Sequence, residues 1–142
     1  PIPGRVDVYP LLSGGVLPTQ SILDQVLEAL SAEDIRPLTD DVHVLSPVEQ
    51  QYDIDLTYYI SRDDQKRGLQ IQAAVQAAVA DYALWQRSGI GRDLNPDRLT
   101  QLVLEAGAKR VNITSPVYTV MPATQIAIVD STNVVFGGYE EA

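Results

Sequence analysis

An α/β (α+β) fold of two layers is predicted by three observations. Short alternating apolar runs that stop at proline mark strands, and longer segments with apolar residues three and four apart mark helices. The two kinds of signal are also interspersed along the chain, which favours helices packed on a sheet over separate all-α and all-β parts. Arg5 to Tyr9 alternates Val6 and Val8 with polar neighbours and ends at Pro10, giving a first short strand. A glycine turn in "SGGVLP" follows, and Thr19 caps a helix whose stripe is Ile22, Leu23, Val26, Leu27 and Leu30.

Beyond "RPLTD", Val42 to Leu45 is a second strand stopped by Ser46-Pro47. Tyr52 to Ile60 is a third, with Tyr52, Ile54, Leu56, Tyr58 and Ile60 on one face and Asp53, Asp55, Thr57 and Tyr59 on the other. Such a pattern fits a sheet with one face on a core and one in water. Asp63 and Asp64 open a long helix in which Ile71, Val75, Ala78, Tyr82 and Trp85 recur at heptad spacing. So short a seam predicts packing on a sheet, not a coiled coil. "NPDRLTQLVLEAG" has a complete helix punctuation: Asn95 as cap, Pro96 at the first position, the stripe Leu99, Leu102, Val103 and Ala106, and Gly107 past the end. Arg110 to Thr114 turns Val111 and Ile113 inward as a fourth strand before Pro116. Ile126 to Val129 and Val134 to Phe136, joined by "DSTN", read as a hairpin or two edge strands.

The order strand, helix, strand, strand, helix pair, strand is that of a ferredoxin-like, split β-α-β sandwich with one added helix. Residues 1–116 are therefore expected to form the ferredoxin-like core, and residues 117–142 a C-terminal β extension of it or an assembly arm.

A chain of 142 residues can bury about 70% of its unfolded surface without disulfides or metals. Nineteen acids against ten bases leave a net charge of −9, which repels nucleic acid and anionic membrane. There is no cysteine, so thiol catalysis and zinc thiolate sites are excluded. No leader pattern and no run near the ~20 apolar residues of a membrane span is present, so a soluble domain without membrane insertion is expected. Asn112-Ile113-Thr114 fits the glycosylation pattern without a secretion signal to support it. Pro1 in place of methionine points to a fragment of a longer protein.

Candidate chemistry is sparse. His43 is the single histidine, its strand neighbours Val42 and Val44 place it toward solvent, and no G-x-S-x-G accompanies it. Asp53 and Asp55 lie on one strand face with Cα atoms ~7 Å apart, a spacing that suits a hard cation or an acid/base pair. The further acids Asp40, Asp41, Asp63 and Asp64 stand at strand ends and not beside them, so a solvated sheet face is the simpler reading. Gly14-Gly15 and Gly89-Ile90-Gly91 lack the spacing of phosphate loops. No catalytic residue, metal or cofactor is assigned.

"GRVDVYPLLSGGVLPTQSILDQVLEAL" followed by "IRPLTDDVHVLSPVEQQYDIDLTYYI" resembles the C-terminal part of the baseplate J-like proteins, wedge components of contractile phage tails and related injection machines. "VNITSP" and the closing "GGYEE" are similar to that family as well, and "RPLTD" is the most specific element. In the residues themselves, "RPLTD" is a rigid turn set by Pro37, with Arg36, Thr39 and Asp40 placed to bond nearby groups. The resemblance implies a structural, non-enzymatic assembly protein of the virion tail baseplate, built in the host cytoplasm. Its implied partners are neighbouring wedge proteins and copies of itself in a homo-oligomer. In such a protein the apolar tail invites strand addition to another chain, because the split β-α-β core closes without it. The interface residues expected on this ground are Ile126, Ile128, Val134, Val135, Phe136 and Tyr139. Two other functions fit the residues: a regulatory domain binding a small molecule between subunits, and a metal-dependent hydrolase using Asp53 and Asp55.

Overall fold

The computed structural model describes residues 5–30 and 41–142, in two packed units, Pro1–Val48 and Glu49–Ala142. The "RPLTD" turn, residues 36–40, lies outside the described residues.

In the first unit, β1 (Arg5–Val8) and β2 (Asp41–Val44) pair in parallel, with Val6 opposite Val42 and Asp7 opposite His43. Between them, the turn Ser13–Gly15 takes positive φ at both Gly14 and Gly15, a conformation that side chains with a Cβ resist. Helix α1 (Gln20–Leu30) begins where the Ile22 N–H donates to Thr19 Oγ1 at 3.3 Å, the expected cap, and it packs against β2. Leu23 is the buried member of its stripe, while Leu27 stays exposed.

In the second unit, β3 (Val48–Ser61) is the centre of a three-stranded sheet of order β4-β3-β5. A 3-10 turn, Arg62–Arg67, holds Asp63 and Asp64; the Asp63 N–H donates to Ser61 Oγ at 3.3 Å, and Arg67 pairs with Asp64 at 2.6 Å. Then come α2 (Gly68–Arg87) and α3 (Pro96–Glu105), the latter capped by Asn95, whose Oδ1 accepts from the Asp97 N–H at 3.0 Å. Strand β4 (Arg110–Ser115) runs antiparallel to β3 with a register shift between Asp55 and Leu56, and β5 spans Gln125–Glu140. Neighbours advance together along β3 and β5, Asp53 with Ser131, Asp55 with Asn133, Tyr59 with Gly137, as in a parallel pair.

The alternation in β3 survives intact: Tyr52, Ile54, Leu56, Tyr58 and Ile60 are buried and face the helices. They meet Ile71, Val75, Val79 and Tyr82 of α2 and Leu99 and Val103 of α3. The heptad-spaced residues of α2 thus pack on a sheet, and this unit has the expected two layers.

Three expectations change. The ferredoxin-like split β-α-β sheet is replaced by two separate sheets, because β1 and β2 are direct neighbours with no strand between them. A pair of helices between β3 and β4 returns the chain to the end it left, so β4 runs antiparallel where a single crossover would make it parallel. The contacts divide the chain at Val48/Glu49 and not at 116/117, and β5 belongs with β3 and β4. The expected break at "DSTN" is also absent, since β5 is one continuous strand through residues 130–133. Asp53 Oδ1 accepts from the Ser131 N–H at 3.3 Å and from its hydroxyl at 2.8 Å, and Asn133 Nδ2 donates to Asp55 Oδ1 at 3.1 Å. These bonds satisfy the polar side chains that otherwise favour a turn.

Candidate interaction surface

The two aspartates raised as a metal or acid/base pair are therefore side-chain acceptors in a cross-strand ladder. Among the described residues no group of three or more His, Cys, Asp or Glu is placed to hold a metal ion. His43 is half-buried in β2, in register with Asp7. We expect Asp53→Ala combined with Asp55→Ala to lower stability by about 1–2 kcal/mol through the lost ladder bonds. The parent melting temperature should not move on adding Mg²⁺ or Mn²⁺; a metal-dependent rise in thermal melts would restore the metal-pair reading.

The six expected interface residues lie along β5 but do not share one exposed face. Ile126 is 0% exposed, inside the core of its own unit. Val134, Phe136 and Tyr139 also pack against that core, with the Phe136 ring 5.5 Å from Tyr58 and 5.2 Å from Tyr139. Gly138 takes a φ of +113 beside Tyr139, and the Tyr139 hydroxyl sits where a Cβ on Gly68 would stand. Val135 remains outward at 42% exposure, and Ile128 lines a groove. The tail folds back on the protein's own sheet, contrary to the preference for another chain's edge. The reason is supply of apolar surface: β3 buries five side chains against the helices and has an unfilled side that β5 occupies.

The far end of β5 is tied across the sheet. Arg110 gives Glu140 a two-pronged contact, Nε to Oε1 at 2.8 Å and Nη2 to Oε2 at 2.7 Å, and Lys109 Nζ reaches Glu140 at 3.4 Å. The Arg110 guanidinium also lies 3.8 Å over the Tyr59 ring on the intervening strand. The Arg110 hydrogen bonds hold the Glu140 carboxyl at a pKa of about 2, below its ordinary 4.5. A depressed carboxylate pKa contributes stability that is full above 4.5 and is lost as pH falls toward about 2. Glu140→Gln should therefore melt lower than the parent at pH 7, and the gap should close at pH 2. A gap that persists in paired melts at both pH values would assign the effect to packing.

A second clamp orders residues 116–124, which link β4 to β5. Asp93 accepts from the Tyr118 hydroxyl and from the Met121 N–H, each at 2.8 Å, and these bonds lower its pKa, the Met121 amide first. Leu94 and Thr119 exchange backbone bonds at 2.8 and 3.0 Å. The segment so fixed presents Val117, Tyr118 and Val120 to solvent beside a cleft of about 240 Å³ floored by Tyr52, Leu94 and Met121. A larger groove of about 440 Å³ runs between α2 and β5, lined by Val79, Ala80, Ala83, Leu84, Ile128 and Thr132 among others. Neither feature was drawn from the sequence: the Ala-rich outer turns of α2 were the available signal, read there only as helix.

Among the described residues the second unit thus offers two clefts and an ordered loop with exposed apolar side chains. Residues 52–135 match the Baseplate J-like protein C-terminal domain, and residues 1–46 match the Baseplate J-like central domain. The chain belongs to the baseplate J-like family. The division of the structural units at Val48/Glu49 falls in the gap between the two matches, residues 47–51. Among named relatives, "Baseplate protein J" of Escherichia phage P2 is 29% identical over 124 residues, covering 87% of this chain and 40% of the relative. The chain thus spans about two fifths of the length of that curated relative.

Proposed function

We propose that the chain is a protein–protein assembly module of a contractile-tail baseplate wedge, joining neighbouring wedge proteins and further copies of itself in the host cytoplasm before the particle is complete. The observation that supports this best is the family match over both structural units. The phage P2 relative carries a baseplate name, and that role is carried here to this chain. The module acts by contact, with no reaction assigned to it. The apolar clefts and the exposed Val117, Tyr118 and Val120 supply surface for such contacts.

The test is made in the phage or element that encodes the chain. The codons for residues 49–142 are deleted within the full gene, and particles are examined by sedimentation and electron microscopy. Tails without complete baseplates, rescued by the intact gene in trans, are the expected result. Normal baseplates and unchanged infectivity would overturn the reading.

A further inference from the structure

Strand β5 closes one side of the sheet order β4-β3-β5, so among the described residues no strand follows it. It is long, Gln125–Glu140, and carries only Asp130 and Glu140 as charges, with no proline and no lysine. Protein edges are ordinarily blunted by such residues to prevent pairing, and this one is not. Ser131, Thr132, Asn133 and Val135 along it are exposed.

The helix layer continues past this edge. Gln76, Val79, Ala80, Ala83, Leu84 and Arg87 of α2 form the floor and far wall of the 440 Å³ groove, and Ile128, Val129 and Thr132 of β5 form its near wall. Leu84 is 49% exposed there. The volume is about three times that of a ~150 Å³ cavity that holds a benzene ring, room for a short row of apolar side chains. A strand hydrogen-bonded to β5 on its outer side would lie over this groove and send every second side chain into it.

We propose that the groove and the β5 edge together receive an extended segment of another polypeptide, added as a fourth strand. Its alternate residues are apolar, and it carries lysine or arginine opposite Asp130. The proposal gives the assembly role above a contact surface and rests on that role. The main-chain edge selects an extended segment, and the groove selects alternate apolar side chains. The exposed Asp130 and the net charge of −9 select a basic partner over an acidic one. A second copy fits poorly. Antiparallel pairing of two β5 edges about a two-fold axis would set both α2 helices on the same face over the same space, and both copies carry the same charge.

The experiment uses the 142-residue chain and a short acetylated peptide alternating valine with lysine and threonine, together with two forms N-methylated at alternate residues. A strand presents the amides of alternate residues to one side, so one methylated form should bind roughly tenfold or more weakly while the other binds like the parent. Amides of residues 130–136 should gain protection from hydrogen exchange on binding. Ala83→Glu, a helix-compatible change in the groove, and Leu84→Glu, at its half-exposed rim, should each weaken binding by a similar factor with unchanged melts. No binding of the parent peptide at millimolar concentration, equal binding of both methylated forms, or protection confined to β4 overturns the proposal. Concentration-dependent dimerisation that protects residues 130–136 overturns the partner assigned, since the edge is then filled by a second copy. If the peptide does not bind yet the full protein needs residues 49–142 to build baseplates, the docking surface fails and the assembly role stands.

Discussion

Deleting residues 125–140 is expected to abolish the cooperative melt of Glu49–Ala142. The deletion removes Ile126 and Ala127, both fully buried, and Phe136, which packs on Tyr58 and Tyr139. Loss of a buried Ile or Phe side chain costs about 2–5 kcal/mol each, and the sum reaches the 5–15 kcal/mol that holds a whole domain together. Circular dichroism on heating and mass in solution, taken on the same sample, separate this outcome from its rival. A truncated chain that still melts cooperatively and has lost only self-association would return β5 to the role of an assembly arm.

Gln86→Leu should lower the free energy of unfolding by about 3 kcal/mol or more, because three backbone groups would lose their partner. Gln86 is 0% exposed, yet it is polar, and its side chain does the work of a missing turn of structure between α2 and α3. Its Nε2 donates to the carbonyls of Arg92 and Asp93 at 3.2 and 3.0 Å, and its Oε1 accepts from the Asn95 N–H at 3.4 Å. Leucine is close in size, so the loss is one of satisfaction and not of volume. Tyr82, whose hydroxyl donates to the Asn95 carbonyl at 3.1 Å, braces the same connection. Denaturant titration of Gln86→Leu beside the parent measures the effect, and a fall below about 1 kcal/mol would show that water replaces the side chain.

The elements were legible wherever their cause is local. Asn95, Pro96 and Gly107 mark α3 without help from the rest of the chain, and the five alternating residues of β3 announce its buried face. What the sequence hid depends on partners far away. "DSTN" has turn chemistry by itself and becomes strand because Asp53 and Asp55, on another strand, take its donors. The same remoteness misled the reading of the aspartate pair, whose spacing was plain and whose occupants were not. Gln86 gave no signal, since a buried glutamine differs from a surface one only by what surrounds it. The polarity of β4 was recoverable: two helices in a connection reverse the chain once more than one does, a count available from the periodicity. Of the expected surface, Ile128 and Val135 remain at grooves or solvent, while Ile126, Val134, Phe136 and Tyr139 turned inward because burial outweighs availability.

The separation of 78 positions between Asp53 and Ser131 has a kinetic meaning. Closing a loop of that length carries an entropy cost of about 4 kcal/mol, beyond a fixed term, before any β3–β5 contact repays it. Pairing at such distance is slow compared with the helices that form locally, so the sheet is expected to complete last. During synthesis, β3 emerges first, and one of its edges must wait unpaired until β5 has left the ribosome. A copy cut short within β5 would thus stay unfolded and open to proteases, so synthesis itself filters which copies reach the folded state.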